Sequence, residues 1–495
     1  LQFKGSLAGE HGVGMARTEF LKQQVGQEIY GLMREIKRSF DPNNVFNPGK
    51  IISDGRYEID KNLRMGAGYK LNLPFEPRLA FAARDGSFTA NLEQCNGSGT
   101  CLKQTPTMCP TYLVTGEEIM STRGRANAIR ASLERREILD PLVSQEMDAA
   151  LSNCLSCRAC TTECPSNVNM PLLKSELLHA RIRRDGLTLR DRMLTSVDML
   201  GRLGCIMPKL SNAVLRSGLF RRIMTRLAGF APQRALPPFA PQRFDHWFAK
   251  RKDRPAPTRG PVVLWDDTFV RYNEPNIGMA AVAVLEAAGF EVILPTGRKC
   301  CGRPAFSQGN LDEAEKLGRE NLAVLAATGH APIIFLEPSC FSMFAEDYHE
   351  LKLAGAGLIS QRCFLFEEFI DNLLKESPDA LSFDGERERI AIHGHCHAKS
   401  MMKTGSMRQL AQRLPNREVT LLDTACCGMA GAFGMLETKY ELSLKVAEPL
   451  VEKLKALPFG TTVVASGTSC RHQIHHLVPV KLRHMAEVLA EALRR

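Results

Sequence analysis

"EVTLLDTACCG" spans Glu418 to Gly428, and "EVILPTGRKCCG" spans Glu291 to Gly302. Each is a short run of aliphatic and β-branched residues that leads into two adjacent cysteines and a glycine. Such a run, bounded by turn formers, reads as a buried strand. The surroundings repeat as well. "PVVLWDD", the helical "NIGMAAVAVLEAAG", "EVILP", the first CCG, a helix and "APIIFLEPSC" make one series. "RIAIHGHCH", the helical "TGSMRQLAQRL", "EVTLLDTACCG", a long helix and "TTVVASGTSC" make the other. Both read strand–helix–strand–helix–strand, which predicts an internal duplication with parallel sheets over 261–495.

In parallel sheets, ligands gather beyond the carboxyl ends of the strands. Cys300, Cys301, Cys340, Cys396, Cys426, Cys427 and Cys470 all fall at or just past such ends. The chain has 16 cysteines and no recognisable secretory signal. It therefore reads as thiol-rich, reduced and metal-binding rather than disulfide-linked.

A second group of cysteines lies upstream. "CLSCRACTTECPS" holds Cys154, Cys157, Cys160 and Cys164, followed by Pro165. Two-residue spacers let three thiolates wrap one corner of an iron–sulfur cube, and the final proline completes the ferredoxin spacing. A zinc site or a redox thiol pair is the simpler reading of any two of these residues. The full run favours a 4Fe-4S cluster. "QCNGSGTCLKQTPTMCPTY", Gln94 to Tyr112, is an altered second run, with Ser98 where its second cysteine belongs.

In two-cluster ferredoxins the last cysteine of each run ligates the other cluster. One cluster then takes Cys154, Cys157, Cys160 and Cys109. The other takes Cys95, Cys101 and Cys164 and lacks a thiolate at Ser98. Serine oxygen is a poorer ligand for iron, so that site could be three-iron, four-iron with a labile corner, or empty.

Charge is uneven along the chain. The formal net charge is +10, yet 171–260 alone carries 19 Lys and Arg against 6 Asp and Glu. A basic stretch of this kind is most often a solvated helix face, and otherwise an anionic-membrane or nucleic-acid surface. No uncharged apolar run is long enough to span a bilayer. The first residue is Leu1, which suggests a chain that begins within a larger reading frame.

The duplicated region resembles the CCG cysteine-rich domain of heterodisulfide reductase subunits and of the iron–sulfur subunits of glycolate, lactate and glycerol-3-phosphate oxidoreductases. That family's pattern is an early cysteine, a CCG and a late C-x2-C, twice. Here repeat two keeps Cys396, Cys426, Cys427 and Cys470, and repeat one keeps Cys300, Cys301 and Cys340. The early cysteine of repeat one is missing near "LWDDTF". Met343 and Gln473 stand at the second late positions. The resemblance implies a cluster or metal at Cys396, Cys426, Cys427 and Cys470, with His395, His397 or His472 as further ligands. Buried thiols that merely pack are the alternative.

"GEHGVGMAR" and "FDPNNVFNPGKI", within residues 1–55, resemble the C-terminal end of flavin-linked 2-hydroxyacid dehydrogenases. By that resemblance Glu10 binds a divalent metal such as zinc and His11 removes the 2-hydroxyl proton. Gly12, Gly14 and Asn47 lie near FAD. Read alone, a Glu-His among glycines is an ordinary turn. The family's flavin-binding domain and its other metal histidines are not in this sequence, so little FAD binding and no independent turnover are expected.

Taken in order, these segments resemble the C-terminal half of the large fused FAD- and iron–sulfur-containing D-2-hydroxyacid dehydrogenases. The implied fold class is multidomain α+β. A flavin-oxidase α+β tail (1–55) and a linker (56–87) precede a helical ferredoxin-type 4Fe-4S domain (88–200). A basic, proline-rich connector (201–260) then leads to a duplicated α/β CCG domain (261–385 and 386–495). The implied activity is oxidation of D-2-hydroxyglutarate, then D-lactate or glycolate, to the 2-oxoacid. Electrons would pass through FAD and the clusters to a quinone or another acceptor. The implied partners are an N-terminal FAD domain, in the same polypeptide or a separate subunit, and further copies in a homo-oligomer. A cytoplasmic chain, peripheral on the inner face of the membrane and without a nucleic-acid partner, is expected. A stand-alone electron-transfer subunit and a heterodisulfide-reductase-like thiol enzyme are the rival readings.

Overall fold

The computed structural model describes residues 1–61, 69–83, 86–103, 108–134, 140–252, 254–401 and 403–494. Parts of the expected linker (62–68 and 84–85) and of the altered cysteine run (104–107) lie outside them. The chain forms two compact units, Leu1–Asn72 and Leu73–Arg495.

In the first unit, "GEHGVGMAR" lies in turns ahead of helix α1 (Leu21–Phe40), which is kinked at Gly26. Asp41 ends α1. Its carboxylate accepts from the Val45 and Phe46 amides at 2.8 and 2.9 Å and pairs with Lys37. The Thr18 hydroxyl donates to Gly14 O at 2.6 Å and accepts from Ile51 N at 2.9 Å. One side chain thereby ties the "GVG" turn to "NPGKI". Helix α1 buries Leu21 and Tyr30 but leaves Ile29, Leu32 and Ile36 exposed.

The second unit begins with a helical region that includes α2 (Thr122–Glu134) and α3 (Met170–Asp185). Asn169 caps α3 by accepting from Leu172 N, and Pro171 fits its first turn, where no amide is needed. After a short helix at Leu189–Thr195 come α4 (Val197–Gly204), α5 (Pro208–Arg216) and α6 (Gly218–Ala228). The stretch expected as a connector is no free tether. Phe244 and Phe248 are buried in the main core, and Phe244 packs so closely on Gly278 that a Cβ there would sit 2.6 Å from the ring.

The duplication follows. Repeat one runs β1 (Pro261–Trp265), α7 (Pro275–Ala287), β2 (Glu291–Ile293), α8 (Leu311–Ala326), β3 (Ile333–Phe335), β4 (Cys363–Leu365) and α9 (Phe366–Glu376). Repeat two runs β5 (Glu388–Ile392), α10 (Thr404–Gln412), β6 (Arg417–Leu421), α11 (Glu437–Lys455), β7 (Thr462–Val464), β8 (Lys481–Arg483) and α12 (Met485–Ala492). Both sheets are parallel, with orders β2-β1-β3-β4 and β6-β5-β7-β8. The expected α/β duplication is present, with one more edge strand in each repeat than the sequence reading contains.

The two repeats share one core. Val262, Leu264 and Ile334 of the first sheet and Ile390, Ile392 and Val464 of the second join residues of α7, α9, α10 and α12. Helix α7 packs on α12, and α9 on α10, so each repeat closes the other. Cutting a side chain such as Phe244 back to alanine would cost roughly 3–5 kcal/mol. In each sheet the strand order reverses beside the first strand, the position where α/β sheets open a crevice at their carboxyl ends. The cysteines stand at these ends.

Candidate iron–sulfur and thiolate centres

The loop of the four-cysteine run is shaped by its backbone. Ser156 and Arg158 are left-handed, with φ of +52° and +67°. Arg158 is held there by a buried ion pair to Asp347 at 3.0 Å. Cys154, Cys160 and Cys109 then share one neighbour, the guanidinium of Arg125, and Cys157 feels both Cys160 and Cys109. Burial and the adjacent sulfurs push the Cys157 and Cys160 thiols up. Bare, they resist ionising together. A bound iron centre would remove that penalty, because a coordinating thiol is deprotonated outright.

The cations around this set suit an anionic occupant. Arg125 is 2% exposed, with Nη1 2.9 Å from the Cys109 sulfur and Nε bonded to Ala150 O at 2.7 Å. Its Nη2 reaches the Thr111 hydroxyl at 2.8 Å. Lys174 Nζ, on a half-buried side chain, donates to Cys154 O at 2.6 Å. A cluster with four thiolate ligands carries net negative charge, and buried charges need partners. The donor set and these two cations fit such a group.

A separate small cavity, about 20 Å³, is lined by Cys95, Ser98, Cys101 and Cys164. Cys109 does not line it. The Cys101 sulfur accepts from Arg123 N at 3.3 Å. The Ser98 hydroxyl lies 3.2 Å from the Thr100 hydroxyl on the exposed side. Three thiols and one hydroxyl therefore converge here.

In repeat two the thiols form a chain of contacts from Cys396 to Cys426, Cys427 and Cys470. The Cys426 contact, with His395 and Lys399 nearby, lowers Cys396 to about 6 despite burial. Gly428 makes the turn. Its φ is +82°, and a Cβ would lie 2.3 Å from Ser443 O. His393, at the end of β5, brings a ligand atom within 4.8 Å of those of Cys427 and Cys470. Its Nδ1 lies 2.9 Å from the Thr424 hydroxyl, and its buried ring otherwise faces the Cys427 sulfur. A histidine and two thiols so placed are a donor set that a metal ion could use.

None of the histidines expected as further ligands joins the Cys427–Cys470 group among the described residues. His397 Nδ1 lies 2.7 Å from the Ser342 hydroxyl. His395 Nδ1 accepts from His397 N at 3.1 Å, and His472 packs edge-on against Phe269. The sequence reading missed His393. The signal available was its place immediately after the strand in "RIAIHGHCH".

Repeat one is poorer in ligands. The Cys340 thiol donates to the Cys301 sulfur at 3.0 Å, and Asn321 Nδ2 holds Cys300 O at 2.9 Å. No histidine joins them among the described residues. Asp267 follows β1, in the "LWDDTF" stretch that lacks the early cysteine. Burial, and the Glu337 charge second, raise its carboxyl to about 7.

Between the two cysteine-rich regions lies a cavity of about 430 Å³. Cys157 lines one side, Cys396 and Cys426 the other, with Glu163 and Lys399 at its wall. Cys157 and Cys396 are close enough to influence each other's ionisation. Cys157 of the four-cysteine loop and Cys396 of repeat two are thus neighbours in space, 239 positions apart in the chain.

In the first unit, Glu10 and His11 are exposed on their turn, with no third metal-binding side chain gathered at them among the described residues. Gly12 and Gly14 have φ of +72° and +56°, with open space where a Cβ would stand. Asn47 is exposed, with φ of +47°.

Three family models match the chain. The C-terminal domain of FAD linked oxidases matches residues 1–51, a 4Fe-4S dicluster domain 91–168, and a cysteine-rich domain both 266–345 and 390–475. A D-2-hydroxyglutarate dehydrogenase of Pseudomonas putida is 26% identical over 100% of this chain and 52% of its own length. A probable glycolate oxidase iron-sulfur subunit of Bacillus subtilis is 26% identical over 81% of this chain and 94% of its own. An anaerobic glycerol-3-phosphate dehydrogenase subunit of Escherichia coli is 26% identical over 70% and 99%. The chain spans about half the length of the D-2-hydroxyglutarate dehydrogenases it matches.

Proposed function

We propose that this chain, whose domain order matches the C-terminal half of a fused FAD- and iron–sulfur-containing D-2-hydroxyacid dehydrogenase, is the electron-transfer half of such an enzyme. The observation that carries the reading is the adjacency of Cys157 and Cys396. It joins the four-cysteine site to the CCG thiols through one cavity. Bound flavin would supply two-electron chemistry and bound clusters one-electron chemistry.

The chain's own residues then have distinct tasks. Cys109, Cys154, Cys157 and Cys160 hold the first cluster, and Arg125 and Lys174 balance its charge. Cys95, Cys101 and Cys164, with Ser98, hold a second, less firmly ligated one. Cys396, Cys426, Cys427 and Cys470, with His393, hold a metal or cluster in repeat two. His11 takes the substrate's hydroxyl proton, Glu10 holds a divalent ion such as zinc, and Gly12, Gly14 and Asn47 face the flavin.

A FAD domain, linked or separate, is the partner this requires, and the exposed face of α1 (Ile29, Leu32, Ile36) suits its cover. D-2-hydroxyglutarate is the first substrate, with D-lactate and glycolate behind it. A quinone or another carrier is the acceptor, met by a homo-oligomer on the cytoplasmic side of the membrane. The test joins the chain to its flavin half and adds each 2-hydroxyacid anaerobically. Cluster bleaching with D-2-hydroxyglutarate, and flavin reduction without onward transfer in Cys157→Ala, are expected. Clusters that no 2-hydroxyacid reduces would overturn the reading.

A further inference from the structure

Helices α4 to α6 are built inside out. In α4 the residues turned to the protein are glycines. A Cβ on Gly201 would meet the Tyr272 ring at 2.5 Å, and one on Gly204 the Phe239 ring at 2.3 Å. The large apolar residues face the other way. Met199, Leu203, Ile206, Leu210, Leu219 and Leu227 are all exposed, Ile206 at 71% and Leu219 at 69%. Helix α5 buries none of its residues. In α6, Leu219 and Leu227 are exposed, while Met224 and Ala228 are buried. Soluble proteins rarely leave apolar surface of this extent open unless something binds it.

The charges on this surface select what binds. From Met199 to Phe230 the sequence contains no Asp or Glu. It contains Arg202, Lys209, Arg216, Arg221, Arg222 and Arg226, all exposed. The nearest acid, Asp198, is already paired with Arg298 at 2.8 Å. A second copy of this surface would set these six cations against six more. An anionic bilayer offers phosphates above and acyl chains below, which is the order these side chains need.

We propose that α4, α5 and α6 form an in-plane docking surface for an anionic membrane. The leucines, isoleucine and methionine enter the headgroup–acyl boundary, and the arginines and lysine lie against lipid phosphates. No helix among the described residues is long and apolar enough to cross a bilayer, so attachment is peripheral. The proposal stands on this surface alone and is independent of the redox reading.

Flotation of the full chain with phosphatidylglycerol-containing vesicles, against pure phosphatidylcholine, tests it. At low salt the anionic vesicles should carry at least about tenfold more protein, and high salt should reduce this. The triple variant Leu203→Glu, Ile206→Glu, Leu210→Glu should lower binding about tenfold, with iron content and circular dichroism unchanged. Arg221→Ser with Arg222→Ser and Arg226→Ser should remove the salt dependence. No flotation of the unaltered chain at low salt, or equal flotation of the triple variant, would overturn the proposal. So would a dimer that the triple variant dissociates without any vesicle binding, since the face would then belong to a second copy.

Discussion

Arg125 Nη1 lies 2.9 Å from the Cys109 sulfur, and both side chains are buried. Burial alone would raise the Cys109 thiol, but the guanidinium charge and the bonds from Thr111, Tyr112 and Arg125 win, and the group is lowered. Cys109 thus ionises more readily than a free thiol, 45 positions from the next cysteine of its site. Arg125→Leu should cost about 1–3 kcal/mol, because it leaves the buried Ala150 carbonyl and Thr111 hydroxyl without their donor. The variant should also lose iron during gel filtration. Arg123→Leu, at the exposed edge near Cys101, should cost little by comparison. Urea denaturation with iron analysis of the two variants measures the contrast.

Cys95, Cys101 and Cys164 line the small cavity with Ser98, and Cys109 does not, so the upstream cysteines fall into two sets. Cys109→Ala should destroy the signal of the first cluster, while Ser98→Cys should leave that signal intact and raise iron at the second site. EPR and iron content of the two purified variants check this. An unchanged signal in Cys109→Ala would move that residue out of the first site.

Gly428 turns the chain between the paired thiols and α11. Gly428→Ala must place a methyl 2.3 Å from Ser443 O at a φ of +82°, which costs on the order of 3 kcal/mol. Cys426 and Cys427 then shift, and metal at repeat two should be lost while the four-cysteine site keeps its iron. Gly297, also at positive φ but in open space, should lose less on the same substitution. Thermal melts and metal analysis give the comparison.

Asp267 gives the fold a pH dependence. Burial first, then Glu337, raises its carboxyl from 3.8 to about 7, against the pull of Arg298 and the amides of Phe269 and Val270. The folded chain therefore keeps a proton that the unfolded chain releases above about pH 4. Its stability contribution is complete at the acid end and declines as pH rises from about 4 to 7. Asp267→Asn keeps the capping acceptor and should flatten this decline, stabilising the chain by up to roughly 4 kcal/mol above pH 7. Denaturation at pH 5 and pH 8 measures the difference. Parallel slopes for the two proteins would contradict it.

Much of the duplication is legible because the runs before each CCG are β-branched, short and bounded by turn residues. Strands β4 and β8 are not, because three-residue edge strands such as Cys363–Leu365 and Lys481–Arg483 have no period to read. The cysteine sites are legible from spacing, since two-residue spacers and a final proline have a geometric meaning. Arg125 is not, because an arginine in a helix reads as surface until the structure turns it inward. Three histidines in "HGHCH" look equivalent in sequence, and only the direction of the chain after β5 singles out His393. The basic run is visible in composition, but its apolar outer face depends on Gly201 and Gly204 taking the inner one.

The most direct test is anaerobic iron, sulfide and zinc analysis with EPR on the full chain and on Cys157→Ala. The account predicts acid-labile sulfide with iron, a reducible cluster signal, and loss of that signal in Cys157→Ala with the fold retained. Zinc in place of iron, or an iron signal indifferent to Cys157→Ala, would contradict it.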